Sequence, residues 1–313
     1  MGNQNPLFEP SYLRLFQERE LQRRVSQLTG ILESCTLCPH RCGVNRWKGE
    51  VGKCRTGRRA IVSSASPHFG EEKVLVGTGG SGTIFFAYCN MACVFCQNYE
   101  LSHLGRGREV GPEELARMMM LLQHQGCHNI NFVTPTHVIP QILEGLLLAI
   151  PLGLRIPLVY NSGGYDSVET LRFLEGVFDI YMPDIKYGRD LEGLDLSGAP
   201  EYRKHAFPAV REMYRQVGDL RLDRKGIAYR GLLVRHLVLP DSVAHSEEVM
   251  EFLAQLSKDT WVNIMAQYHP CYQASGVARK GTYGGLGRRP TWEEVDRVVA
   301  YARKLGLTHA GTY

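Results

Sequence analysis

The chain has 313 residues, 44% of them hydrophobic and 22% charged, with a formal net charge of +4. That size accommodates one large α/β domain with a small appendage, and so mild a positive charge argues against a nucleic-acid binder. No apolar run approaches the length of a membrane span and the first ten residues are polar without a signal-peptide pattern, so a cytoplasmic protein with no membrane partner is expected. Residues 11–33 read as one helix, because Leu13, Phe16, Leu21, Val25, Leu28 and Leu32 recur close to a 3.6-residue period. A cysteine-rich stretch without period follows, to about Arg58. We divide the chain into residues 1–60, an N-terminal helix and metal-binding segment, and residues 61–313.

The second part alternates short apolar β-runs with amphipathic helical stretches. Strands are expected at 82–88, 130–134, 156–161, 178–184, 231–239 and 261–267, and helices at 112–125, 137–149, 167–175, 200–217, 242–257 and 291–305. Continuous apolar runs suit strands buried on both faces. Pro112, Ser242 and Thr291, each followed by paired glutamates, suit helix starts, where capping oxygens and acids satisfy orphan N–H groups. Six strands alternating with six helices imply parallel βαβ units. Polar and cysteine residues fall just after the strand ends, which favours a barrel over a doubly wound sheet.

Cys89, Cys93 and Cys96, spaced C-x3-C-x2-C with Phe95 before the last, follow the first of these strands. Three thiolates can hold three irons of a [4Fe-4S] cube and leave the fourth open, which is a reactive rather than a structural arrangement. Nine cysteines in a chain without an export signal fit thiolate–metal chemistry better than disulfides. Four of them, Cys35, Cys38, Cys42 and Cys54, are spaced C-x2-C-x3-C-x11-C and can close a site around zinc or a second, fully ligated cluster, since soft thiolates accept both. Cys127 and Cys271 are spare.

The Cys89–Cys96 loop resembles the signature of the radical S-adenosylmethionine (AdoMet) superfamily. The resemblance implies an open, partial (β/α)6 TIM-like barrel, AdoMet chelated at the open iron, Phe95 beside its adenine, and reductive cleavage to a 5′-deoxyadenosyl radical. After the second strand stands Thr134-Pro-Thr136-His137 where many members carry Gly-Gly-Glu, so Thr134 and Thr136 are the candidates for the AdoMet ammonium. Asn161-Ser162-Gly163-Gly164 follows the third strand, and Asp184-Ile185-Lys186 the fourth. The latter is similar to a D-x-K element of glycyl-radical-enzyme activating proteins, where it lies beside AdoMet and a monovalent cation. Asn161 stands where that cation site is usually acidic. Arg235, inside the fifth strand, resembles the arginine that grips the AdoMet carboxylate, a task suited to a guanidinium fork. His269, in Tyr268-His269 after the sixth strand, resembles the element closing that barrel.

Taken together these segments, over roughly residues 80–275, look like the pyruvate formate-lyase activating-enzyme-related family in its PflX-type branch. The family implies an oxidoreductase acting on a protein glycine and drawing electrons from a flavodoxin or ferredoxin. The rival reading is an iron–sulfur electron-transfer or sensor protein that does not turn AdoMet over.

Overall fold

A parallel sheet organises the computed structural model, which describes residues 8–312. Strand β1 (Ala60–His68) runs antiparallel to β2 (Ser81–Phe86) and to a short β3 (Arg108–Val110). Then come β4 (Ile130–Val133), β5 (Leu158–Ser162), β6 (Ile180–Pro183), β7 (Arg221–Leu222), β8 (Ala228–Leu237), β9 (Trp261–Met265) and β10 (His309–Gly311). The sheet order is β10-β9-β8-β6-β5-β4-β2-β1-β3, with β7 paired to the flank of β8. From β2 to β10 every pairing along this path is parallel. Each crossover steps in the same direction, so the sheet has no reversal of the kind that defines a doubly wound fold. Its two edges, β10 and β3, form no ladder with each other.

The sheet is strongly curved. Strands β4 and β9 lie four strand spacings apart, which in a flat sheet is about 19 Å. Yet Asn131 on β4 donates to Glu71 and Asn263 on β9 donates to Glu72, two consecutive residues. Strand periodicity explains what faces inward. Val159 and Asn161, Ile180 and Met182, and Leu233 and Arg235 share the inner face, while Tyr160, Tyr181, Leu232 and Val234 join the main core with the covering helices.

The connection between β1 and β2 fills the inside of this curve. Leu75, on the short helix Lys73–Val76, packs with Val159, Ile180, Met182, Ala228 and Leu233 in a separate apolar cluster. Glu71 and Glu72, just before it, meet the polar residues of the inner face. Among the described residues no helix is long and apolar enough to cross a membrane.

The N-terminal helix expected over 11–33 is broken. Arg19 adopts a left-handed φ of 59°, separating Ser11–Gln17 from Glu20–Gly30, and a 3-10 turn (Ile31–Glu33) follows. The break lets Tyr12, Leu13 and Leu15 reach the core alongside Leu21, Val25 and Leu28. The first helix is pinned by Tyr12, whose hydroxyl donates to the Ile156 carbonyl, and by the Ser11 N–H, which donates to buried Asp179.

Burial pushes the Asp179 carboxyl up to about 7, against the N–H donors of Ser11 and Leu158. The folded chain therefore keeps a proton there that the unfolded chain sheds near pH 4. Stability should fall from about pH 4 to 7, by on the order of 1 kcal/mol per pH unit. Asp179→Asn, which needs no proton, is expected to be more stable than wild type at pH 8 and to lose that advantage at pH 4.5 in urea unfolding. An advantage independent of pH would contradict the assignment.

Candidate active site

The loop after β2 carries the three cysteines. It begins at Tyr88, held at a φ of 65°, which turns the chain sharply off the strand. Backbone bonds then seat the loop on the helix Asp190–Ser197: Ala92 N–H donates to the Ser197 carbonyl at 2.7 Å and Val94 N–H to that of Leu196 at 2.9 Å. Asn90 donates its side-chain amide to the Tyr165 carbonyl at 2.7 Å.

The sulfurs have their own partners. Ser197 Oγ donates to Cys93 Sγ at 2.9 Å, Met91 N–H to Cys89 Sγ at 3.3 Å, and Cys96 Sγ lies 3.1 Å from Ser102 Oγ. Burial pushes the Cys89 and Cys93 thiols up, and the Lys186 ammonium draws both back. Bare thiolates are thus disfavoured here, and a metal is what would displace the protons.

All three cysteines border one cavity of about 270 Å³, together with Phe95, Thr134, Asn161, Ser162, Asp184, Lys186 and Arg235. Among the described residues no three His, Cys, Asp or Glu side chains converge on a single ion. A cube does not ask for that: its ligands bind separate irons and stand apart around it.

Part of the cavity lining is an ion-pair network. Arg235 Nε donates to Asp184 Oδ1 at 2.8 Å, Nη1 to Glu71 Oε1 at 3.0 Å and Nη2 to Asn161 Oδ1 at 2.7 Å. Lys186 Nζ donates to the other Asp184 oxygen, Oδ2, at 2.8 Å. Burial opposes ionisation of Asp184, but the Arg235 and Lys186 cations hold its carboxyl down to about 2. Arg235 and Lys186 are themselves raised by Asp184, against burial. Three of the five guanidinium N–H groups are engaged and two are left for a ligand.

The expected residues do not all meet. Phe95 is buried, edge-on to Tyr187 and Tyr268 at 6.4 and 5.8 Å between centroids. Thr134 takes a φ of 61° and borders the cavity. That turn carries Thr136 away from it: Thr136 is buried and donates to Asp166 Oδ1 at 2.7 Å, beside Tyr160. Ser162 borders the cavity, but its hydroxyl proton goes to Asp166 Oδ2 at 2.7 Å. His269 is half-buried outside the cavity lining, near Gln97 at 3.4 Å. Gly164, at a φ of 77°, is required where it stands, since a Cβ there would lie 2.4 Å from the Asp184 carbonyl oxygen.

Sequence reasoning missed Glu71, Glu72 and Ser197. The two glutamates lie in an irregular connection with no period, and their partners are 60 to 191 residues away. Nothing local marks them.

The geometry coincides with a family match. Residues 83–253 fit the model of the radical SAM superfamily, a span that begins in β2 and includes the cysteine loop and the Asp184–Arg235 wall. The chain is also 32% identical over 312 residues to the Uncharacterized protein MJ0674 of Methanocaldococcus jannaschii, covering 96% of this chain and 83% of that one.

Proposed function

The chain belongs to the radical SAM superfamily, whose members carry a [4Fe-4S] cluster and use S-adenosylmethionine, and from that premise we propose that it cleaves AdoMet in the manner of glycyl-radical-enzyme activating enzymes. One observation carries the proposal: the three cysteines and the Asp184–Lys186–Arg235 ion-pair network line one cavity. Cys89, Cys93 and Cys96 would hold the cluster. When bound, it supplies the electron that splits the AdoMet sulfonium and releases a 5′-deoxyadenosyl radical.

The chain's own residues bind and orient. Lys186 and the two spare N–H groups of Arg235 suit the AdoMet carboxylate, and Thr134, on the cavity wall, offers its hydroxyl to the ammonium. Phe95 gives the adenine an aromatic neighbour. Met91, Leu237 and Met265 supply the apolar lining that keeps water from the radical. A free monovalent cation at Asp184 does not fit this wall, because both carboxylate oxygens already carry a side-chain cation and Asn161 is neutral.

The substrate in this proposal is a protein glycine, on the strength of the D-x-K, strand-five arginine and Tyr-His likenesses, with a flavodoxin or ferredoxin as reductant. In the anaerobically reconstituted and reduced protein, AdoMet is expected to change the electron paramagnetic resonance spectrum of the cluster. A spectrum indifferent to AdoMet, with no AdoMet retained in equilibrium dialysis, would favour the electron-transfer reading instead. Deuterium passing from a Cα-labelled glycyl-radical enzyme into 5′-deoxyadenosine would support the glycine. Cleavage without that transfer would redirect the search to other peptides or small molecules.

A further inference from the structure

Outside the AdoMet cavity, one buried cation forms no ion pair among the described residues. Arg46 lies in a 3-10 turn (Arg46–Lys48) and is 1% exposed. Its Nε donates to the Gly57 carbonyl at 2.8 Å and its Nη1 to the His137 carbonyl at 2.9 Å, while Nη2 has no partner. Both contacts are to neutral carbonyls. A guanidinium cannot shed its proton to escape burial, so it requires a counter-anion nearby.

The candidates for that anion surround it. Cys35, Cys38, Cys42 and Cys54 border one small cavity with Arg46 and His137. Cys35, Cys38 and Cys54 are buried and Cys42 is exposed. The Arg46 guanidinium and the Cys54 sulfur line that same cavity. The backbone is fitted to another sulfur: Lys53 N–H donates to Cys42 Sγ at 3.4 Å, and a Cβ on Gly52 would lie 2.7 Å from that atom. Neutral thiols would leave Arg46 uncompensated. Thiolates on a metal carry net negative charge and would satisfy it.

We propose that Cys35, Cys38, Cys42 and Cys54 bind a metal centre as thiolates, with Arg46 as its buried counter-charge. This centre would also anchor the radical loop. His40, within the cysteine run, bonds through Nε2 to the Asn90 carbonyl at 2.7 Å, next to Cys89. His137 bonds through Nε2 to the Ala87 carbonyl at 3.0 Å, two residues before it. The metal is the iron of a second cluster, whose ligands stand apart, or zinc once the four sulfurs draw together, since no three of them converge on a single ion as they stand.

The test uses the full chain with Cys89, Cys93 and Cys96 all changed to alanine, so it does not depend on AdoMet cleavage. One sample is loaded with zinc, the other anaerobically with iron and sulfide, and metal and sulfide are counted. About one zinc or about four irons per chain, lost on adding Cys38→Ala, is the expected result, and the arm that retains metal identifies it. No metal in either arm overturns the site.

Arg46→Met should then release the metal to a chelator about tenfold faster or more, while Arg46→Lys, which keeps the charge, stays close to the parent. Arg46→Met should also lower the thermal midpoint of the metal-bound form more than that of the metal-free form. Equal losses in both forms, or unchanged metal release, would reduce Arg46 to a packing residue and overturn the counter-charge.

Discussion

Arg235→Met is expected to cost about 3–5 kcal/mol of stability and to remove AdoMet binding, because one side chain anchors both the inner face and the ligand wall. Methionine fills much of the volume but leaves Glu71 without its cation and Asp184 with Lys186 alone, both carboxylates being largely buried. The loss has a pH signature. In wild type the Asp184 carboxyl is held at about 2, below its ordinary value. Its contribution is therefore present above about pH 4 and is lost as pH falls toward 2. The variant lacks the guanidinium that sustains this, so the stability gap should be full at pH 7.5 and narrower at pH 3.5 in urea unfolding. Arg235→Lys should recover part of the stability but little of the binding, since an ammonium cannot reproduce the three-way fork to Asp184, Glu71 and Asn161. A gap that ignores pH would mean that Arg235 acts through packing alone.

Cys93→Ala should leave the fold standing and reduce AdoMet cleavage by about a thousandfold or more, since the loss of one ligand disables the cluster as a unit. Cys93 is half-buried, and its loop is held chiefly by backbone bonds to Leu196 and Ser197 that the substitution does not touch. Far-ultraviolet circular dichroism should match wild type while iron bound at this loop disappears. Persistence of AdoMet cleavage in this variant would exclude the loop as the cluster site.

Local chemistry made part of this architecture legible in the sequence. Six of the seven parallel strands announced themselves as apolar runs, the short edge strand β10 did not, and the cysteine loop was marked by its spacing. Asp184, Lys186 and Arg235 stood out by their resemblance to activating-enzyme elements, and the structure pairs them with one another. What escaped depends on closure in three dimensions. Glu71 and Glu72 acquire their role only when the sheet curves round them. Ser197 reaches Cys93 from a helix, Asp190–Ser197, that lies outside the helices expected from the sequence. Gly193 is there for packing: a Cβ would lie 2.2 Å from the Tyr202 Cβ. Arg19 breaks the first helix without a glycine or proline to signal it, and Thr136 is drawn off by Asp166, a partner thirty residues away.

The three cysteines and the ion-pair wall border one cavity, so the most direct measurement is chromatography for 5′-deoxyadenosine after anaerobic reconstitution with iron and sulfide, reduction with dithionite and incubation with AdoMet. The account predicts 5′-deoxyadenosine from the wild-type chain and none from Cys93→Ala. An intact, reduced cluster that leaves AdoMet whole would contradict it.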